Sequence, residues 1–133
     1  MTKRQDLLIR QGADWSWSFT HLDTDGSAVD LSSYTARMAV KASLEGQRVA
    51  YLSSGSDADG GSISLAADGT VILSMTAKET GDISADLIEL SFDAKSRAER
   101  FLYYIYDLEL VDSSDVVTRV LQGRITYERE VTN

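Results

Sequence analysis

The stretch that most constrains this chain runs from residue 101 to residue 132, FLYYIYDLELVDSSDVVTRVLQGRITYEREVT. Leu102, Tyr104, Tyr106, Leu108 and Leu110 hold successive even positions, while the odd positions turn charged at Asp107 and Glu109. Successive side chains of an extended strand point to opposite faces, so this period of two predicts a strand with one buried face. Asp112-Ser113-Ser114-Asp115 then supplies turn chemistry, short polar side chains that bond nearby backbone. Alternation resumes with Leu121, Gly123, Ile125 and Tyr127 on one face and Gln122, Arg124, Thr126 and Glu128 on the other. The pair predicts a long antiparallel hairpin that the remaining chain must cover.

The first strand of that hairpin carries a surplus. Phe101, Tyr103 and Ile105 are apolar at odd positions, so both faces call for burial over residues 101–106. A sandwich has one core and can bury one of them. The second cover is either the segment 76–100 or another chain. Phe101, Tyr103 and Ile105 are therefore candidate interface residues.

Composition sets outer bounds. A chain of 133 residues fits one domain with a core of its own, and 43% hydrophobic residues lies far above the disordered range. With no cysteine, neither disulfides nor thiolate metal sites are available. The net charge of −8, from 21 acidic and 13 basic residues, repels phosphate backbones and argues against nucleic-acid binding. No apolar run approaches a membrane span or a signal peptide, so a soluble protein made in a cytoplasm is expected. Proline is absent, which leaves Gly, Asp and Ser to make the turns.

The rest of the chain reads mostly as strands. Residues 1–10 form a polar arm whose Leu7-Leu8-Ile9 is a short first strand. Trp15, Trp17 and Phe19 alternate with Ser16, Ser18 and Thr20, and Asp23-Thr24-Asp25-Gly26 is a turn. Ala36, Met38, Val40 and Ala42 mark another strand, Arg48 to Leu52 the next, and residues 53–61 a polar loop. Asp68-Gly69 joins Ser62–Leu65 to Thr70–Met75 as a hairpin. Residues 76–100 are ambiguous. One helical turn is open at 76–83, a strand is favoured through Ile88, Leu90 and Phe92, and a charged loop follows at 93–100.

Catalytic and binding signals are sparse. His21 is the lone histidine, placed at a strand end where exposure is expected, and nothing nearby completes a triad. Asp23, Asp25 and Asp30 resemble a calcium loop, but glycine stands fourth and Tyr34 holds the place of the closing glutamate. Asp57 and Asp59 are a weaker version, and both groups read as turns. Gly60-Gly61 lacks any phosphate-loop pattern. Trp15 and Trp17, with Tyr51, are candidates for a sugar-stacking platform, although paired aromatics on one strand face more often build a core. No catalytic set, metal or cofactor is expected.

Several short motifs stand in a shared order: Gln11-Gly12-x-Asp14-Trp15, Asp25-Gly26, and Asp30-Leu31-Ser32-Ser33-Tyr34-Thr35-Ala36-Arg37-Met38. Tyr106-Asp107-Leu108-Glu109-Leu110 and Val117-Thr118-Arg119-Val120-Leu121-Gln122-Gly123-Arg124-Ile125 close the series. The order resembles small tail proteins of bacteriophages and prophages, β-sandwich domains akin to the N-terminal domain of upper baseplate proteins in phages of Gram-positive hosts. It covers residues 11–41 and 104–132, and leaves 76–100 as an insertion where the relatives have a short helical link. The motifs also have folding reasons. Gly12 permits a kink, Asp30 caps a turn before Tyr34, and Gly123 leaves room for a large neighbour such as Trp or Tyr.

Together these readings predict an all-β, antiparallel immunoglobulin-like β-sandwich in one domain, with at most one or two short helical segments. The resemblance implies a non-enzymatic virion component of a phage tail or baseplate. Its expected partners are other tail or baseplate proteins, or further copies of itself in a symmetric assembly. The alternative is a carbohydrate-binding or adhesin module for host recognition, using Trp15, Trp17 and Tyr51.

Overall fold

The computed structural model describes residues 2–90 and 101–130. The strands are β1 (Lys3–Arg4), β2 (Leu7–Arg10), β3 (Trp15–Thr20), β4 (Thr35–Lys41), β5 (Arg48–Ser53), β6 (Ser62–Leu65), β7 (Thr70–Met75), β8 (Phe101–Val111) and β9 (Val117–Glu128). One helix, α1 (Ala77–Leu90), lies between β7 and β8.

Hydrogen bonding orders the strands β1-β9-β8-β4-β5-β6-β7-β3, with β2 also on β9. The link between β5 and β6 is a single parallel pair, Ser53 with Ser62. There the path folds over into two layers, β1/β2-β9-β8-β4-β5 and β6-β7-β3. Lettered in chain order from β3 as B, the layers are G-F-C-C′ and D-E-B, the strand arrangement of an immunoglobulin variable-type sandwich. The first strand lies parallel against the last rather than beside B, pairing Leu7 with Ile125 and Ile9 with Tyr127. The all-β, immunoglobulin-like sandwich expected from the alternation is the fold observed.

The inward faces share one apolar cluster. Met38 of β4, Leu52 of β5, Leu73 of β7, Leu108 of β8 and Ile125 of β9 are each almost wholly buried in it. Trp15, Trp17 and Phe19 pack against it from β3, each partly exposed. Without a cysteine pair, the layers are held together by side-chain packing and the one Ser53–Ser62 backbone link. Tyr104 and Tyr127 meet edge to face with centroids 6.0 Å apart, a contact that adds to their area burial. The expected antiparallel hairpin forms over 101–128, and its register shifts between Leu108 and Glu109, which lets Val120 and Leu121 both be buried.

One expectation needs correction. The strand favoured through Ile88 and Leu90 is instead part of α1, while Phe92 and the expected charged loop at 93–100 lie outside the described residues. The cause is at the helix start. Thr76 Oγ1 accepts the Glu79 N–H at 3.2 Å and Glu79 Oε1 accepts the Thr76 N–H at 2.9 Å, a reciprocal capping box. Asp14 Oδ1 takes the Ala77 N–H at 2.7 Å. The 1–10 arm carries its short strand at Leu7–Arg10, and both β1 and β2 are laid on β9. Gly123 pairs directly with Tyr106 of β8, whose hydroxyl reaches the Gln5 carbonyl. A Cβ at Gly123 would collide with the Gln5 carbonyl group, so the arm's own backbone crosses at that point.

Candidate functional site

Among the described residues, the outer face of β2, β9, β8 and β4 is left uncovered by the sandwich. Because β8 buries Tyr104, Tyr106, Leu108 and Leu110, its odd residues point outward by the alternation of a strand. Register then fixes their neighbours. Arg10, Glu128 and Phe101 form one row across three strands, and Leu8, Thr126 and Tyr103 form the next. Arg124, Ile105 and Lys41 follow, then Gln122, Asp107 and Ala39. Tyr103 is 57% exposed, Leu8 43% and Phe101 41%, while Ile105 is half-buried.

Charged pairs frame these apolar side chains. Arg10 Nε lies 2.9 Å from Glu128, Arg37 Nε 2.8 Å from Glu109, and Arg119 Nε 3.5 Å from Asp107. The Arg124 guanidinium stands 5.4 Å from the centroid of the Tyr103 ring, within cation–π range. Beside Ile105 an open depression of about 540 Å³ is bounded by Arg4, Lys41, Leu44 and Arg119. Leu44 is 84% exposed at its rim. An exposed aromatic and aliphatic row inside a charged frame has the anatomy of a protein contact.

The N-terminal arm is locked at the margin of this face. The Tyr106 hydroxyl donates to the Gln5 carbonyl at 2.5 Å, and burial pushes its phenol pKa up. The Arg124 N–H donates to Asp6 Oδ1 at 3.0 Å, the main cause holding that carboxyl below its ordinary value. Gly123 makes the crossing possible.

The structure brings Phe101, Tyr103 and Ile105 together as one outward stripe. It does not assemble the sugar platform. Trp15 and Trp17 turn toward the core on β3, whereas Tyr51 lies on the outward side of β5 in the other layer, with the Arg48 guanidinium 4.3 Å from its ring centroid. His21 is half-buried rather than exposed, its N–H bonded to the Gly69 carbonyl, and burial lowers its pKa. Asp25 accepts from the Ser27 N–H and hydroxyl, and Asp30 from those of Ser32, so both carboxylates serve their own turns. Asp57 accepts from the Ser53 hydroxyl, and Asp59 pairs its backbone with Tyr51. Among the described residues no three His, Cys, Asp or Glu side chains are placed to share a metal ion, and no helix is long and apolar enough to cross a membrane.

Leu8, Arg124 and Lys41 belong to the face and were not singled out by sequence reasoning. The alternation in Leu7-Leu8-Ile9-Arg10 signals that Leu8 points away from the core, but its neighbours are set only by pairing with β9.

No family model matches the chain. No curated protein matches it either. Among solved structures, it is similar to a chain in the crystal structure of ICOS in complex with ICOS-L and an anti ICOS-L VNAR domain, at 15% identity and a TM-score of 0.43. That match covers 97% of this chain and 56% of the other, so this chain spans little more than half of its length. The structure of murine CRIg is similar at 9% identity and a TM-score of 0.40, covering 94% of this chain and 92% of that one.

Proposed function

We propose that this chain is a non-enzymatic structural component of a phage virion, a tail or baseplate protein that acts by protein–protein assembly. The observation that carries the assembly reading is the outward stripe of Phe101, Tyr103 and Ile105, with Leu8 beside it and ion pairs around it. The virion itself rests on the order of motifs across residues 11–41 and 104–132. The described part of α1 packs against β5 and β7, away from this stripe. Burying Tyr103 and Ile105 on a partner would stabilise the contact by roughly 1.5–3 kcal/mol per side chain.

The test has two arms. Mass spectrometry of purified particles should find the chain among the tail proteins, and its absence from particles complete in every other tail component would overturn the virion reading. The double substitution Tyr103→Asp, Ile105→Asp should abolish incorporation while the isolated protein keeps its melting temperature. Normal incorporation of that variant would remove the stripe from the assembly surface.

A further inference from the structure

We propose that β3 is a dimerisation edge: the β3 of a second copy of this chain adds to it antiparallel, with Trp17 facing its counterpart across a twofold axis. This inference rests on the edge of the small sheet and is independent of the virion reading. Among the described residues β3 ends the strand order and is hydrogen-bonded to β7 alone. A sheet edge is a row of open backbone donors and acceptors, and proteins blunt such rows with charge, proline, bulges or cover.

The two edges of the larger layer are blunted among the described residues. The β1/β2 side carries Lys3, Arg4 and Arg10 and is interrupted at Gln5 and Asp6. The β5 side is closed by the antiparallel bridge from Asp59 to Tyr51 and by β6. Among the described residues Trp15-Ser16-Trp17-Ser18-Phe19-Thr20 has none of these devices, and its register with β7 runs without a shift from Trp15 opposite Met75 to Thr20 opposite Thr70.

The hydrogen-bonding groups point the right way. The His21 N–H donates to the Gly69 carbonyl across from it at 2.8 Å. Alternation therefore turns the N–H groups of Trp15, Trp17 and Phe19 toward β7 and those of Ser16, Ser18 and Thr20 toward the free side. In a twofold pairing centred on Trp17, Ser16 of one copy exchanges both backbone bonds with Ser18 of the other. Trp17 meets Trp17 and Trp15 meets Phe19 on one face, with serine opposite serine on the other. Aromatic cross-strand pairs are among the stabilising ones, and these three rings are only partly buried in the single chain.

The self-complementary sequence of β3 selects a second copy as the occupant, and its lack of charge permits it. Each chain carries −8, so two copies repel wherever carboxylates face one another. The span Trp15–Thr20 holds no charged side chain, and its sequence is complementary to itself when reversed about Trp17. An isologous contact of this kind closes as a dimer and leaves no open edge for further growth.

Light scattering behind sizing chromatography, with amide hydrogen exchange across a dilution series of the full chain, tests the proposal. A dimer is expected, in which the Ser16 and Ser18 amides gain protection as concentration rises while the Trp17 and Phe19 amides, already bonded to β7, do not. A monomer at the highest concentration, or protection that ignores concentration, overturns it. Ser18→Pro removes one outward N–H without touching the β7 ladder and should give a monomer with the parent melting temperature. Should that variant misfold, Ser16→Lys with Ser18→Lys sets like charges opposite each other across the axis and should also give a monomer. A dimer that survives these variants but is lost in Tyr103→Asp, Ile105→Asp overturns the β3 contact and places the interface on β8.

Discussion

At the scale of single residues, Gly123 carries the most consequence for its size. Its backbone conformation is open to any residue, since its φ is not positive. The constraint is space, because the Gln5 backbone occupies the place of a side chain and cannot swing aside as a flexible tip would. Gly123→Ala must push the arm off β9, breaking the Tyr106 hydroxyl bond to Gln5 and the Arg124 N–H bond to Asp6. The expected cost is about 1–3 kcal/mol, the range for overpacking a filled site. Urea unfolding would show the loss as an earlier midpoint. Limited proteolysis should cut the arm before the rest of the chain, and an unchanged midpoint with an intact arm would refute this account. Gly12 is a different case, with φ +78° at the kink that leads from β2 to β3.

At the scale of elements, α1 is docked around the buried Thr80. Thr80 is fully buried; its Oγ1 accepts the Gly12 N–H at 3.1 Å and lies 2.9 Å from the Ala13 carbonyl and 3.0 Å from that of Ala77. The Tyr127 hydroxyl donates to the Thr80 carbonyl at 2.5 Å. The helix is thereby joined to the β2–β3 connection and to β9 at once. Thr80→Val keeps the shape and strands the Gly12 N–H, so a loss of about 1–3 kcal/mol is expected for the unsatisfied group. Calorimetry or urea titration measures it, and a neutral result would mean that water replaces the hydroxyl. The helix start was legible in Thr76-Ala77-Lys78-Glu79, a capping box, and in the spacing of Thr80, Ile83, Leu87 and Leu90. What hid it was the coincident period of two in Ile88, Leu90 and Phe92.

At the scale of the whole molecule, the charge is unevenly spread. The turns 21–34, 66–69 and 112–116 meet at one end of the sandwich, as the His21–Gly69 and Leu31–Ala66 backbone bonds and the Thr35–Val111 pair require. They carry Asp23, Asp25, Asp30, Asp68, Asp112 and Asp115 and no Lys or Arg. Hydroxyl and amide donors hold Asp25, Asp30 and Asp68 below the ordinary carboxylate value of 3.8. A carboxyl with a lowered folded pKa contributes its full stability above 3.8 and loses it as pH falls through the folded value. His21, lowered from 6.5 by burial, acts earlier. The unfolded imidazole takes a proton first, so stability declines as pH falls below 6.5 and levels once the folded ring is also charged. Urea midpoints against pH should show a plateau above about 7, a first decline below 6.5 that His21→Gln removes, and a second in acid that Asp30→Asn reduces. A flat profile from neutral pH into acid would contradict both assignments.

Local chemistry determined much of this protein. The period of two in residues 101–128, the Asp-Gly turn between Ser62–Leu65 and Thr70–Met75, and the outward stripe of Phe101, Tyr103 and Ile105 are all legible in the chain, because strand alternation and turn geometry depend on near neighbours. Asp30 capping its turn and Gly12 making its kink belong to the same class. Long-range pairing decided the rest. That Leu8 lies beside Tyr103, that Gln5 fills the space over Gly123, and that Trp15 and Tyr51 sit in different layers follow from contacts between segments far apart in sequence. No local pattern encodes such neighbours. Many strand orders satisfy the same alternation, and the one adopted is the one that buries every inward face in a single core while the chain end closes against β9.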